Sequence, residues 1–355
     1  MSSLFVKKMV KAVLPPALDS LGIYDRVIRT AERKKPIWLV VMYHRVIAGS
    51  AEDPFEMGMC VATRRFRKQM QFYRDYFEPI PLTEGVRRRR EGQPMPDRAV
   101  SITFDDGYAD NLGIAWPILR EYGIPATVFV TTGGRSEDYG LWWDRVIHAV
   151  ANTGVTILDL SSLGIEDIKG KIPLSRSERK QSLTRLLSIL WQQDIDKTML
   201  AIEQLEKVLQ PQPSTATLPA RLTDEDIAKL HNDGMEIGAH TITHPDLRMT
   251  TDKRLQRELL LPKQLLESIT GEPVNGFAYP KGLYDERVRN AVEEAGYHYA
   301  VGTVRGLNRG SETIFGIERM GAPDTSVADL KRCIAGSVNS GNGLTVQSSI
   351  TRGNG

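Results

Sequence analysis

Several short stretches of this chain hold side chains that can bind a cation or move a proton. In SITFDDGYADN (Ser101–Asn111) an apolar run ends in two adjacent carboxylates, Asp105 and Asp106, and a glycine. Neighbouring carboxylates repel, and a buried pair is costly unless something cationic lies beside it. In AHTITHPDL the imidazoles of His240 and His244 stand four residues apart. Pro245 disfavours helical backbone at His244, so the pair belongs to a loop or tight turn. His44 follows VVMY, and Lys281 lies in FAYPKGLYD. Two imidazoles and one carboxylate make a facial set of ligands that leaves positions open for water. A divalent metal would take one carboxylate as a ligand and leave the other as a base, its repulsion relieved. Taken singly, each feature has an ordinary reading: a solvated turn, a surface histidine pair, a satisfied core histidine. Their joint occurrence argues for a site.

Such a site needs a scaffold that gathers the ends of distant segments. The runs Ile37–Tyr43, Ala99–Phe104, ATVFV after Pro125, Gly234–His240 and NGFAYP read as strands covered on both faces. HYAVGT and IFGIERM read the same way. Between them Arg64–Tyr76, Asp110–Tyr122, Asp252–Ile269, Asp285–Ala295 and Val327–Ile334 carry helical patterns. This alternation predicts a parallel sheet of the α/β class, open or closed into a barrel. In such sheets functional residues collect at the C-terminal ends of strands, where these residues fall. From Gly140 to about Leu222 the rhythm breaks into helix formers, Ser177–Trp191 and Ile195–Leu209 among them, which reads as a helical insertion (about 140–222). The barrel then spans 36–335, preceded by a basic segment, 1–35, and followed by a tail, 336–355, expected to be disordered.

The chain has 355 residues, 41% hydrophobic and 25% charged, with a net charge of +2, so charge alone gives no nucleic-acid binder. No run approaches the roughly 18 apolar residues of a membrane span. Val6, Met9, Val10 and Val13 repeat at helical spacing beside Lys7, Lys8 and Lys11. That short helix either packs on the domain or touches an anionic membrane surface. The run Arg87–Arg90 reads as a solvated helix end, with anionic lipid or glycan contact as the alternative. Cys60 and Cys333 have no metal-ligand spacing and read as thiols in a reducing compartment.

TFDDGYADN, GAHTITHPDL, FAYPKGLYD and GTVRGLN resemble the motifs of the polysaccharide deacetylases, the NodB-homology group also called carbohydrate esterase family four. The resemblance covers roughly Pro36 to Ile334 apart from the insertion. It implies a distorted (β/α) barrel with fewer than eight strands and metal-dependent removal of acetyl groups from amino sugars. By this resemblance Asp105 is the general base, and Asp106, His240 and His244 hold the metal, usually zinc. The arginine that normally stands two residues before the proline of the third motif is Ala278 here. Arg319, in IERM, is the candidate to orient the base instead. The late Leu-x-His that supplies the acid is absent, and no histidine follows His298. A circularly permuted form, found in exopolysaccharide biosynthesis, takes its acid from the first strand, which makes His44 the acid. The backbone N–H of Lys281 is assigned to the oxyanion, and Tyr279 and Arg305 to substrate. Trp142-Trp143 either stack on a sugar or belong to the core.

The expected substrate is an acetylated glycan or a lipid-linked glycan precursor. No secretory leader is read, so the expected location is the cytoplasm, with peripheral contact to the inner membrane through the basic N-terminus. The alternatives are a carbohydrate O-acetyl esterase and an inactive glycan-binding protein of the same fold. A two-carboxylate glycosidase would leave the histidines unexplained.

Overall fold

The computed structural model describes residues 17–34, 36–49, 53–134, 140–166, 168–212, 218–310 and 313–339. In chain order its strands are β1 (Trp38–Tyr43), β2 (Arg45–Ile47), β3 (Cys60–Ala62), β4 (Glu78–Pro79), β5 (Ala99–Phe104) and β6 (Ala126–Val130). They continue with β7 (Ile157–Asp159), β8 (Lys171–Pro173), β9 (Glu236–Ala239), β10 (Gly276–Ala278), β11 (Tyr299–Val301) and β12 (Met320–Gly321). The main sheet runs β11-β10-β9-β6-β5-β1-β12, with β4 also on β5, and its pairings are parallel. The order follows the chain from β1 to β11, and β12 then returns to pair with β1. Just before it, Ile317 bridges Val301 of β11. The stretch Ile317–Gly321 therefore touches both ends of the strand order and curls the sheet into a (β/α) barrel-like form.

The period of two in a strand decides what faces the interior. In β5, Val100, Ile102 and Phe104 pack outward into the larger core, with Phe66 and Met70 of the helix Thr63–Tyr76. Ser101, Thr103 and Asp105 alternate with them and face inward. Trp38 Nε1 donates to Ser101 Oγ at 3.0 Å, and the inner layer also holds Val40, Phe129, Ala278, Val301 and Ile317. The expected strand in IFGIERM shortens to β12, because Gly316 and the Ile317 bridge turn the chain across the sheet edge.

Between β6 and β9 lie the helices Trp142–Ala151, Arg179–Leu190 and Ile195–Leu209, and the antiparallel pair β7–β8. They bury a core of their own, including Val146, Leu158, Leu183, Leu186, Ile202 and Leu205.

The helix Ile23–Lys34 buries Tyr24 and Ile28 in the main core, and Lys331 pairs with Asp19 and Asp25. The spaced residues Val6 to Val13 lie outside the described residues. The helix Val327–Asn339 runs past the point where a tail was expected, since Ser337 is still buried; residues 340–355 lie outside the description. The arginine run ends the helix Leu82–Arg90, where Arg87 and Arg88 both pair with Glu84 and Arg89 lies over Trp38. Among the described residues no helix is long and apolar enough to cross a membrane.

Candidate active site

Asp105 and Asp106 close β5 with opposite environments. Asp105 continues the inward series and meets Arg319, which enters from the segment that seals the barrel. The guanidinium grips it with both nitrogens, Nη1 to Oδ1 and Nη2 to Oδ2 at 2.7 Å each. Arg319 Nε donates to Gly302 O at 2.8 Å, and the residue is fully buried. Burial alone would raise the Asp105 pKa, but the charge of the Arg319 guanidinium holds it below the usual carboxylate value. Ala278, where the resemblance expects an arginine, sits in the inner layer, and Arg319 fills the role of counter-charge from the other side.

Asp106 turns the other way. Its φ is +75°, and that of Gly107 is +78°, a left-handed step that glycine accepts without cost. Neither of its buried carboxylate oxygens has a hydrogen-bond partner among the described residues. Burial and the neighbouring Asp105 push its pKa well above the ordinary range. His240 Nε2 and His244 Nε2 lie 3.6 and 3.7 Å from Asp106 Oδ1.

The histidine loop is shaped by one buried carboxylate. Glu258, on the helix Asp252–Thr270, accepts from the main-chain N–H of Ile242 at 2.8 Å and of Thr243 at 3.0 Å. It also accepts from Thr243 Oγ1 at 2.7 Å and Arg254 Nε at 2.9 Å. Thr241 and His244 then take positive φ, +66° and +56°, which aims both imidazoles at Asp106. The loop between them is not helical, as Pro245 requires. His240 Nδ1 is 2.7 Å from Ala278 O, so the Nδ1–H tautomer leaves Nε2 as a ligand atom. Burial lowers the His240 pKa to about 4 and holds that of His244 well below its ordinary value, keeping both rings neutral.

These three side chains fit a divalent cation. Their ligand atoms all lie within 4.8 Å of one another. Donors bound at ~2.1 Å around one ion stand roughly 3.5 Å apart, and a carboxylate with two orphaned buried oxygens needs a positive partner.

His44 lines the same cavity, about 520 Å³ in volume, with Asp105, Asp106, His240, His244 and Lys281. Asp110 and Asn111 hold its backbone. Asp110 accepts from Arg45 Nε at 2.9 Å and Val46 N at 3.1 Å, and Asn111 Nδ2 donates to His44 O at 2.9 Å. Burial lowers the His44 pKa, partly opposed by Asp105. Lys281 has φ +55°. The residue as a whole is exposed, yet its Nζ lies 3.3 Å from the centre of the Trp191 ring, and desolvation lowers its pKa to about 7.

Two expected substrate contacts are elsewhere. The Tyr279 ring is buried, its hydroxyl donating to Phe315 O at 3.0 Å, because the residue faces the outer core. Arg305 reaches the last helix instead, donating to Ser337 Oγ and Cys333 O. His298 lies at the start of β11, the end away from the site.

The far wall of the cavity comes from the insertion. Trp143 packs against His244 with ring centres 4.6 Å apart, and Trp191 at 5.4 Å. Trp142 is buried with them, so the tryptophan pair divides: Trp143 lines the cavity and Trp142 does not. Trp191 and Leu187 of the insertion, joined by Met57 and Met59 from the segment before β3, are wall residues that sequence patterns did not single out. Trp191 could have been flagged as an aromatic just past the apolar face of the helix Arg179–Leu190.

A family model described as polysaccharide deacetylase matches residues 92–172 and 171–300. The chain is 21% identical over 290 residues to the putative polysaccharide deacetylase YxkH of Bacillus subtilis, covering 81% of this chain and 72% of that one. Over 105 residues it is 31% identical to the poly-beta-1,6-N-acetyl-D-glucosamine N-deacetylase of Escherichia coli K12, which is 29% of this chain and 15% of that one. Among solved structures, the Streptococcus pyogenes deacetylase PplD in complex with acetate superimposes with a TM-score of 0.56 at 18% identity, covering 86% of this chain and 99% of that one.

Proposed function

Because the chain belongs to the polysaccharide deacetylase family, we propose that it hydrolyses the N-acetyl group of an amino sugar in a glycan or glycan precursor, using one divalent metal, zinc by preference. The observation that carries this reading is the convergence of Asp106, His240 and His244 within 4.8 Å, beside an arginine-bound Asp105 and inside one cavity.

Asp106, His240 and His244 would hold the metal. A bound divalent ion supplies a Lewis acid that activates water and draws charge from the acetyl carbonyl. Asp105 stays ionised beside Arg319 and takes the proton of the attacking water. The main-chain N–H of Lys281 faces the developing oxyanion. His44, its pKa lowered by burial, takes up the proton that Asp105 drew from the water and passes it to the leaving amine as the C–N bond breaks, which returns Asp105 to its ionised form. The match to an N-acetylglucosamine polymer deacetylase supports the amide over the ester as the bond cleaved. The apolar wall of Met57, Met59, Trp143 and Leu187 supports a substrate with an apolar carrier, such as a lipid-linked precursor.

The test needs two steps. Metal per chain is measured by elemental analysis after zinc loading, for the native protein and His244→Ala. Acetate release is then compared on N-acetylated and O-acetylated sugars. About one metal lost in the variant, with acetate from the amide substrates, is the expected result. No metal in the native protein would remove the hydrolase mechanism and leave a glycan-binding protein. Release from O-acetyl sugars alone would make the protein an esterase.

A further inference from the structure

The carboxylate of Asp106 is not held by its own atoms. Both oxygens are buried and neither accepts a hydrogen bond among the described residues, so the direction in which it points is set by its main chain. That main chain is in the left-handed region at two successive residues, φ +75° at Asp106 and +78° at Gly107. For a non-glycine residue this conformation is strained and persists only where the surroundings impose it.

The imposing group comes from outside the sequence motifs. Arg221 stands just before the helix Asp224–Asn232, where the chain returns from the insertion. Its Nη2 donates to Asp106 O and to Thr131 O, both at 2.6 Å, and its Nε points at Gly107 O, 3.3 Å away. One guanidinium thus joins the turn after β5 to the end of β6. The backbone beside it completes the lock: Leu222 N donates to Gly107 O at 3.0 Å, and Ala109 N to Ala220 O at 2.9 Å. Arg221 is 7% exposed, and its guanidinium carbon lies 5.9 Å from the centre of the Tyr108 ring.

We propose that Arg221 is a positioning residue for the metal-binding carboxylate: by gripping the carbonyls of Asp106 and Thr131 it fixes the turn that aims Asp106 at His240 and His244. The assignment rests on the metal-site reading above. A lysine at this position keeps the charge but not the planar fork, so it can satisfy one carbonyl well and not several together.

The experiment uses the full chain with Arg221→Met and Arg221→Lys. Zinc affinity is measured by competition with a chelator, and coordination geometry by the visible absorption of the cobalt-loaded protein. Groups that orient metal ligands typically cost 10–100-fold in affinity when removed. Arg221→Met is expected to bind zinc 10–100-fold more weakly with altered cobalt bands, and Arg221→Lys to fall between it and the native protein. Should the methionine variant not fold, the lysine variant decides alone through the same two readouts. A lower melting temperature with zinc affinity within twofold and unchanged cobalt bands would reduce Arg221 to a structural residue and overturn the assignment. A native protein that binds no zinc would overturn the metal site itself, and this assignment with it.

Discussion

The cavity has two halves built on different principles. The barrel half is a floor of charges and forced backbone. Of the seven described non-glycine residues at positive φ, four (Asp106, Thr241, His244 and Lys281) lie at the strand ends that form it. Three polar groups there have a named counterpart, Arg319 for Asp105, Glu258 for the histidine loop and Ala278 O for His240, while the Asp106 carboxylate has no hydrogen-bond partner among the described residues. The insertion half is a wall of ordinary packing, with Leu183, Leu186, Leu190 and Leu205 behind Trp143 and Trp191. Directional bonds fail when one partner is lost, whereas packed surfaces give way gradually. The floor should therefore respond to substitution in large steps and the wall in small ones.

The largest step is expected at Asp105. Asp105→Asn keeps the shape and removes the proposed base, so kcat/KM on an N-acetylated sugar should fall by about 10²–10⁴-fold. Zinc content should stay at the native level, because the ligand set is untouched. A loss below tenfold would mean that the floor does not act through this carboxylate.

Arg319→Leu probes the same contact from the other side and reads out stability. The Asp105–Arg319 pair is almost wholly buried, and removing one member leaves an uncompensated charge, worth about 3–5 kcal/mol. Denaturant titration should show a drop of this size. The exposed pair Arg287–Asp252 should cost at most ~1 kcal/mol when broken from the acidic side by Asp252→Asn, which leaves the main-chain contacts of Arg287 in place. Equal losses at the two pairs would erase the distinction between floor and surface.

The floor was far more legible in the sequence than the wall. Asp105, Asp106, His240 and His244 could be grouped because a parallel sheet brings strand ends together, and each follows an apolar run. The missing arginine at Ala278 pointed to Arg319 only as a candidate, since nothing local to IERM shows that the segment crosses from β11 to β1. Tyr279 and Arg305 were assigned by motif, but one faces the outer core and the other the last helix. Side-chain direction after a positive-φ turn is not visible in residue order. Arg221 carries no signature, because its partners are main-chain carbonyls. In the insertion, helix periodicity marks an apolar face but not which residue past its end returns to the barrel, so Trp191 stayed hidden.

Asp144 is where the wall borrows the chemistry of the floor. It accepts from the Tyr108 hydroxyl at 3.0 Å across the junction. Burial raises its pKa from 3.8 to about 6, against the lowering effects of the Tyr108 hydrogen bond, Arg45 and Arg221, while Asp110 adds to the rise. The native state thus binds this proton more tightly than the unfolded chain. Between about pH 4 and pH 6 it carries more protons, and stability declines as pH rises through that window. The full difference is roughly 3 kcal/mol. Asp144→Asn removes it, so the stability of the variant relative to the native protein should climb by up to that amount from pH 4 to pH 7. A flat difference curve would show that the carboxylate is ionised as readily in the folded protein as outside it.

The smallest effect is expected at Trp191, and it sharpens the comparison most. The ring touches His244 and lies beneath the Lys281 ammonium, so it neighbours both the proposed metal ligand and the proposed oxyanion segment without donating to either. If the wall only binds, truncation removes contact that substrate and transition state share. Such a loss raises KM and leaves kcat nearly unchanged. An aromatic contact of this kind is worth about 0.5–1.5 kcal/mol, so Trp191→Ala should raise KM roughly 2–10-fold with kcat within about twofold of native. Trp191→Phe should recover most of the loss. A fall in kcat larger than the rise in KM would place Trp191 in the floor's company: its packing on His244 would then serve the chemical step, and the insertion would be part of the catalytic apparatus and not a wall placed beside it.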